Sequence, residues 1–188
     1  LDQWLVVEPL LRNYFRITRD YHCSILPTAT PYARNAIFSG MFPSEIEKQI
    51  PELWQNSDEN DDVSCNRFES QLIERQMQSL KMELKPAPKY AKILDIQEAR
   101  SVAKRIQEYA DLPFASIVLN FVDILAHTRS SSDLIKEMIP DEAAFRSMTG
   151  SWFEHSHIYQ ALRQLSEMGN TVVLTSDHGS IRGLRGAK

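Results

Sequence analysis

TVVLTSDHG, residues 171–179, joins an apolar, β-branched run to a polar end. The run 171–175 predicts a buried strand of a parallel sheet. Ligands of open α/β sheets bind beyond the carboxyl ends of the strands, which is where Asp177 and His178 lie. A carboxylate beside an imidazole indicates a metal site, although an ordinary polar turn would explain the same residues.

A second apolar run, FASIVLNFV at residues 114–122, also ends at a carboxylate, Asp123. His127 follows four positions later, so both side chains lie on one side of a turn or helix. Carboxylate and neutral imidazole are ordinary ligands of zinc or manganese. The alternative for Asp123 is a structural helix N-cap.

Residues 26–43, LPTATPYARNAIFSGMFP, predict a helix with Thr30 as its N-cap and Pro31 as its first residue. The helix dipole and free N–H groups there favour an anion, either a phosphate or a hydroxyl becoming an alkoxide. Thr30 is therefore a candidate nucleophile, or a residue that only caps the helix. Arg34 and Asn35, one turn on, either contact a phosphate or face solvent.

The remaining pattern predicts an α/β fold, with a mostly parallel central sheet flanked by helices and a helical insertion at about 44–90. For the other elements, apolar residues that recur every 3.6 positions predict helices, and apolar residues that alternate with polar ones predict strands. The predicted helices are 2–14, with a kink or break near Glu8, 64–84, 96–109 and 152–168, and 43–54 is a short helix or a turn. The predicted strands are 14–17, 21–26 and 90–94, and 55–62 is an acidic loop.

Bulk composition limits the class of protein. The chain has 188 residues, a net charge of −4 and a pI near 5.8, which argues against a broadly basic nucleic-acid surface. Two cysteines without a framework spacing suit a reducing compartment. Because no apolar run reaches the length of a membrane span, we expect a cytoplasmic protein that does not enter the membrane.

Thr30, Asp123-x3-His127 and Asp177-His178 occur in the same order as the site motifs of the alkaline phosphatase superfamily, which this chain resembles. The stretch PTATPYARNAIFSGMFP, the opening LDQW and LNFVDILAHTRS resemble more closely the PglZ domain, particularly that of PorX-type response regulators of the type IX secretion system. The resemblance spans nearly the whole chain.

This resemblance implies roles for individual residues. It makes Thr30 the nucleophile and a residue that bridges two metal ions. Asp123 and His127 would bind one zinc ion, and Asp177 and His178 would bind the other, with Mn²⁺ as the alternative metal. The implied substrate is a phosphodiester such as an oligonucleotide.

The resemblance also implies parts outside residues 1–188. A further metal ligand, an Asp, is expected before Leu1 and a His after Lys188, so we expect a PglZ domain truncated at both ends. A receiver domain is expected upstream. The predicted function is a zinc-dependent phosphodiesterase domain of a response regulator; the alternative is a non-catalytic effector that binds a signalling protein and dimerises. A sulfatase is disfavoured, because sulfatases carry a modified Cys or Ser at the position of Thr30.

Overall fold

A computed structural model describes residues 2–54 and 66–179. The chain divides into two compact units, one made of Leu1–Arg19 and Pro86–Val172 and the other of Asp20–Lys85 and Val173–Lys188. The predicted acidic loop at 55–62 lies outside the described residues. None of the helices in these ranges has the length and apolar character that crossing a bilayer requires.

The described ranges contain both helices and parallel strands, as the sequence predicts for an α/β fold. In chain order they are α1 (Trp4–Leu11), α2 (Thr30–Ser39), α3 (Pro43–Gln49), a 3₁₀ helix (Pro51–Leu53), α4 (Glu69–Ser79), β1 (Lys89–Ile93), α5 (Ile96–Lys104), α6 (Ile106–Ala110), β2 (Ala115–Leu119), α7 (Phe121–Ser131), α8 (Asp133–Met138), α9 (Glu142–His155) and α10 (His157–Glu167).

The first unit contains a parallel pair of strands. β1 pairs with β2 in a register that runs from Lys89 opposite Ala115 to Ile93 opposite Leu119. Parallel neighbours need a crossover connection, and α5 and α6 supply it here. Asp95 begins that crossover, because its side chain accepts a hydrogen bond from the Glu98 backbone N–H at 2.8 Å.

The core of the first unit lies where the crossover helices meet α10. Val102 of α5, Ile106 of α6 and Leu162 of α10 are at most 6% exposed and belong to one apolar cluster. Burying each such side chain stabilises the fold by roughly 1.5–3 kcal/mol before the entropy cost is counted. The predicted parallel pairing, and its covering by helices, is therefore confirmed.

The second unit is built from α2, α3, the 3₁₀ helix and α4. Ile46, Ile50 and Leu72 form its buried apolar cluster, and all three are at most 2% exposed. α2 packs on α4 and ends at Gly40, which adopts the left-handed conformation with φ of +68°. α3, the 3₁₀ helix and α4 lie in the region, about 44–90, where the sequence predicts a helical insertion.

The predicted buried strand at 171–175 is wrong. Within the described residues this segment has no strand partner, and Val173 and Leu174 are 83% and 46% exposed. β-branched composition favours an extended backbone, but a strand forms only where a neighbour supplies the ladder of hydrogen bonds. The run 114–122 does form a strand, but over Ala115–Leu119 alone and only partly buried.

Other element boundaries also differ from the predictions. α1 continues through Pro9 to Leu11, so the predicted break near Glu8 does not occur. The predicted strands at 14–17 and 21–26 are absent from the described residues there. The predicted helices 96–109 and 152–168 are each divided, at Arg105 and Ser156.

Ser156 shows why one of those helices is divided. Its backbone is extended, with φ of −78° and ψ of 152°. Its hydroxyl donates to the Phe153 carbonyl at 2.7 Å and accepts from the Tyr159 N–H at 3.1 Å. One side chain therefore ends α9 and begins α10, in a way that apolar periodicity cannot reveal.

Candidate active site

Thr30 is the first residue of α2 and not its N-cap. Ala29 holds the N-cap position in an extended conformation, and its carbonyl accepts from the N–H groups of Tyr32 and Ala33 at 3.0 and 2.9 Å. Pro31 occupies the first turn, where its missing N–H has no consequence. The sequence prediction was thus one position off, and the Thr30 hydroxyl is not used to cap the helix.

The Thr30 hydroxyl instead contacts His178, within the second unit. Thr30 Oγ1 lies 3.1 Å from His178 Nε2. The other ring nitrogen, Nδ1, lies 2.9 Å from the Gly179 carbonyl oxygen, which can only accept. Nδ1 therefore carries the proton of the neutral ring, and the Nε2 lone pair faces the Thr30 hydroxyl.

Asp177 completes this group of side chains. Its Oδ1 accepts from the His178 backbone N–H at 3.0 Å, and its Oδ2 lies 3.8 Å from His178 Nε2. The side chains of Asp177 and His178 are 22% and 23% exposed, so both are partly shielded yet reachable. The structure thus brings together three predicted site residues, Thr30, Asp177 and His178.

This donor set suits a metal ion. A carboxylate oxygen, an imidazole nitrogen and a hydroxyl oxygen are ligand types that zinc accepts. A metal-binding histidine usually donates its other N–H to a backbone carbonyl, and His178 does so to Gly179. Among the side chains that the structure describes, however, no three from His, Cys, Asp or Glu cluster closely enough to hold an ion by themselves.

Asp123 and His127 lie on one helix of the first unit. Asp123 is in the first turn of α7, and His127 follows one turn later on the same helix. A spacing of four residues places both on one helical face, as the sequence predicts. The side chain of His127 lies outside the part of the chain that the structure describes, so the pair stays a predicted ligand pair.

Arg34 and Asn35 point into the packing between α2 and α4. Arg34 Nη2 lies 2.6 Å from the buried carboxylate of Glu69. Asn35 Nδ2 donates to the Pro31 carbonyl at 2.8 Å, and its Oδ1 accepts from Asn66 at 3.3 Å. Both residues are buried and not solvent-facing, and their contact with a phosphate remains a prediction.

Sequence reasoning missed Glu69, although a signal was present. Glu69, Leu72 and Ile73 follow the i, i+3, i+4 pattern of a single helix face, and all three are at most 2% exposed. A glutamate on the apolar face of an amphipathic helix is rarely buried without a cationic partner. The partner, Arg34, lies 35 positions earlier in the chain.

Comparison with known proteins agrees with the motif resemblance. A protein family described as the BREX system PglZ alkaline phosphatase-like domain matches residues 1–186. No curated protein sequence matches the chain. The family match supports an alkaline-phosphatase-like α/β fold and a hydrolase-type domain. It does not test the narrower resemblance to PorX-type response regulators.

Proposed function

The chain belongs to the PglZ family of alkaline phosphatase-like domains, and from this premise we propose that it is a metal-dependent phosphodiesterase with Thr30 as its nucleophile. One observation carries the proposal: Thr30 Oγ1 lies 3.1 Å from His178 Nε2, at the start of a helix. The hydroxyl therefore lies beside a nitrogen that can bind the proposed metal ion, and coordination to a metal is one way in which such a nucleophile is activated. The helix N-terminus favours negative charge on Thr30 Oγ1 and on the phosphate that it attacks.

The residues of this chain define the proposed reaction. Thr30 Oγ1 attacks the phosphorus of a phosphodiester, and the bond from phosphorus to the leaving alcohol breaks. The hydroxyl proton of Thr30 passes to solvent, and the departing alkoxide takes up one proton from solvent. Water then attacks the phospho-threonine, releasing a phosphomonoester and restoring the Thr30 hydroxyl.

Two zinc ions, or manganese in their place, are the proposed cofactors. Asp177 and His178, with Thr30 beside them, would hold one ion, and Asp123 and His127 would hold the other. Such ions lower the pKa of a bound hydroxyl and stabilise the charge on phosphoryl oxygens. The Gly179 carbonyl, by orienting the His178 ring, keeps its Nε2 available as a ligand.

The substrate class and the cellular role are parts of the same proposal. The resemblance of PTATPYARNAIFSGMFP to PorX-type regulators supports an oligonucleotide or a similar phosphodiester as substrate. It also supports a cytoplasmic response regulator that acts in type IX secretion. The net charge of −4 fits a confined phosphate site better than an extended nucleic-acid surface.

A second candidate is a non-catalytic effector that binds a signalling protein or a second copy of itself. Val173 and Leu174, just before the candidate site, are large apolar side chains with 83% and 46% of their surface exposed. Exposed apolar neighbours are a common feature of protein-binding surfaces. This candidate needs neither bound metal nor the Thr30 hydroxyl.

Hydrolysis of bis-p-nitrophenyl phosphate by the full-length protein, together with elemental analysis, tests the proposal. We expect about two zinc ions per chain, and we expect Thr30→Ala to abolish turnover while zinc stays bound. Thr28→Ala, the same change at an exposed residue two positions earlier, is the matched control and should leave turnover unchanged. Turnover that survives Thr30→Ala would exclude Thr30 as nucleophile. A folded, metal-free, inactive protein would favour the effector.

A further inference from the structure

A buried polar cluster joins α2, the helix that begins at Thr30, to α4. It consists of Arg34, Asn35, Asn66 and Glu69, which are 8%, 1%, 2% and 0% exposed. A buried ion pair contributes little net stability, because an apolar pair of similar volume often stabilises the packing at least as well. The cluster is therefore better explained by its effect on the orientation of α2 than by its effect on stability.

Arg34 connects the face of α2 that carries Thr30 to the first residue of α4. Arg34 follows Thr30 by four positions, so both lie on one helical face, and side chains lean toward the helix N-terminus. Arg34 Nη2 lies 2.6 Å from the Glu69 carboxylate. The carboxylate is also at the N-terminus of α4, where the helix dipole stabilises a negative charge.

Asn35 restrains the first turn of α2 by a hydrogen bond within that helix. Its side chain donates to the carbonyl of Pro31, the residue after Thr30, at 2.8 Å. Asn66, just before α4, donates to Asn35 Oδ1 at 3.3 Å. Two contacts, Arg34 with Glu69 and Asn35 with Asn66, therefore tie α2 to the region that begins α4, and the Asn35 bond to Pro31 extends this link to the first turn.

We infer that Glu69 is a positioning residue for Thr30, acting through Arg34 to hold the first turn of α2 so that the Thr30 hydroxyl faces His178. This inference rests on the proposed function. Reacting groups lose rate steeply when displaced by a fraction of their contact distance. The 3.1 Å contact between Thr30 Oγ1 and His178 Nε2 therefore depends on how α2 is seated.

The same geometry favours positioning over direct phosphate binding by Arg34. The Arg34 side chain is only 10% exposed, and that of Glu69 is fully buried. The carboxylate neutralises the guanidinium and would repel a phosphate that approached it. To bind substrate, Arg34 would first have to break its 2.6 Å contact with the buried Glu69 carboxylate.

Glu69→Gln in the full-length protein tests the inference, because it keeps the size of the side chain and removes its charge. Glu74→Gln, at an exposed position of the same helix, is the matched control. With bis-p-nitrophenyl phosphate we expect kcat to fall about tenfold or more in Glu69→Gln while KM is unchanged, and neither to change in Glu74→Gln. A raised KM with unchanged kcat would overturn the inference by placing Arg34 on the substrate.

Hydrogen exchange gives a second reading that does not depend on turnover. The Tyr32 and Ala33 amides donate to Ala29 in the first turn of α2. We expect these amides to exchange about tenfold faster or more in Glu69→Gln and at the wild-type rate in Glu74→Gln. Wild-type exchange together with wild-type kcat in Glu69→Gln would overturn the inference.

An apolar replacement covers the case in which Glu69→Gln fails to fold. Arg34→Met combined with Glu69→Leu removes both charges and keeps the volume, a change that buried ion pairs often tolerate. A folded double variant with lowered kcat supports the inference, and one with wild-type kcat overturns it. Unchanged turnover in Thr30→Ala would defeat the proposed function instead, and the exchange rates would still show whether Glu69 holds the turn that contains Thr30.

Discussion

Thr30 Oγ1 lies 3.1 Å from His178 Nε2, although 148 positions of the chain separate the two residues. Thr30 begins a helix, and His178 lies on a segment without regular structure, held locally by the Gly179 carbonyl and the Asp177 side chain. The contact thus combines a rigid element with a short, locally bonded turn. Metal binding and nucleophile activation would both depend on that turn.

Asp177→Ala should weaken zinc binding by about an order of magnitude or more, because losing a ligand costs more than the loss of a neighbouring hydrogen-bond partner. The substitution also removes the acceptor for the His178 backbone N–H at 3.0 Å, so it loosens the turn as well. Competition with a fluorescent zinc chelator would measure the change in affinity.

Asp20→Ala is the control for that measurement. Asp20 is exposed in the same unit, and its side chain bonds only its neighbour's N–H, at Tyr21, among the described contacts. The zinc affinity of the Asp20→Ala protein should equal that of the wild type. If Asp177→Ala bound zinc as tightly as Asp20→Ala, Asp177 would not be a ligand.

Ser156→Ala should reduce the free energy of unfolding by about 1 kcal/mol, since it removes the N-cap of α10. The Tyr159 N–H would lose its partner at 3.1 Å, and α9 would lose the bond to the Phe153 carbonyl. Urea denaturation followed by circular dichroism would measure the loss. Ser151→Ala, at an exposed site on α9, should change stability little, and an equal loss there would refute the capping role.

The sequence predicted well the features that local chemistry determines. β1 was predicted at 90–94 and found at Lys89–Ile93, and Gly169 follows the C-cap of α10 with φ of +75°, as a C-terminal glycine should. The helix after Pro31 also formed, because proline and the following apolar spacing favour it. These signals need no distant partner.

Features that depend on distant partners were missed. The apolar run at 171–175 predicts a buried strand, yet Val173 is exposed, because strand formation depends on a neighbour that the run itself does not encode. The pairing of Arg34 with Glu69 was likewise invisible, since the two residues are far apart in the chain. The family resemblance already implied one site for Thr30, Asp177 and His178, but only the fold shows that the Thr30 hydroxyl contacts His178 Nε2.

Gly40→Ala should lower stability by about 1–2 kcal/mol, because alanine is strained at φ of +68°. An added Cβ would also lie 2.6 Å from Gln76 Nε2, but that atom ends a flexible side chain that can move away. Thermal denaturation of Gly40→Ala and of Gly40→Ala with Gln76→Ala would separate the two effects. We expect no rescue in the double variant.

Gly169→Ala is the matched comparison for Gly40→Ala. Gly169 has φ of +75°, and a Cβ there would meet nothing within 4 Å, so only backbone strain applies. The two substitutions should therefore cost similar free energies. A large loss at Gly40 that Gln76→Ala restored would instead show that contact with α4 dominates.

Glu8 links α1 to the segment that follows it in the first unit. Its carboxylate is 4% exposed and accepts from Arg12 Nη2 at 2.6 Å and from Arg19. Burial acts to raise the pKa of the Glu8 carboxyl, but the hydrogen bonds and positive charges of Arg19 and Arg12 outweigh it. The pKa of Glu8 is therefore below its usual value of 4.5.

Glu8→Gln should weaken the dependence of stability on acid pH. A carboxyl with a lowered pKa in the folded state stabilises the fold above 4.5, and that stabilisation is lost as the pH falls through the folded-state pKa. Urea unfolding between about pH 7 and about pH 3 should show a smaller decline in Glu8→Gln than in the wild type, from a lower starting stability. Glu167→Gln, at an exposed site on α10, should follow the wild-type curve. If Glu8→Gln kept the full acid dependence, other carboxylates would have to account for it.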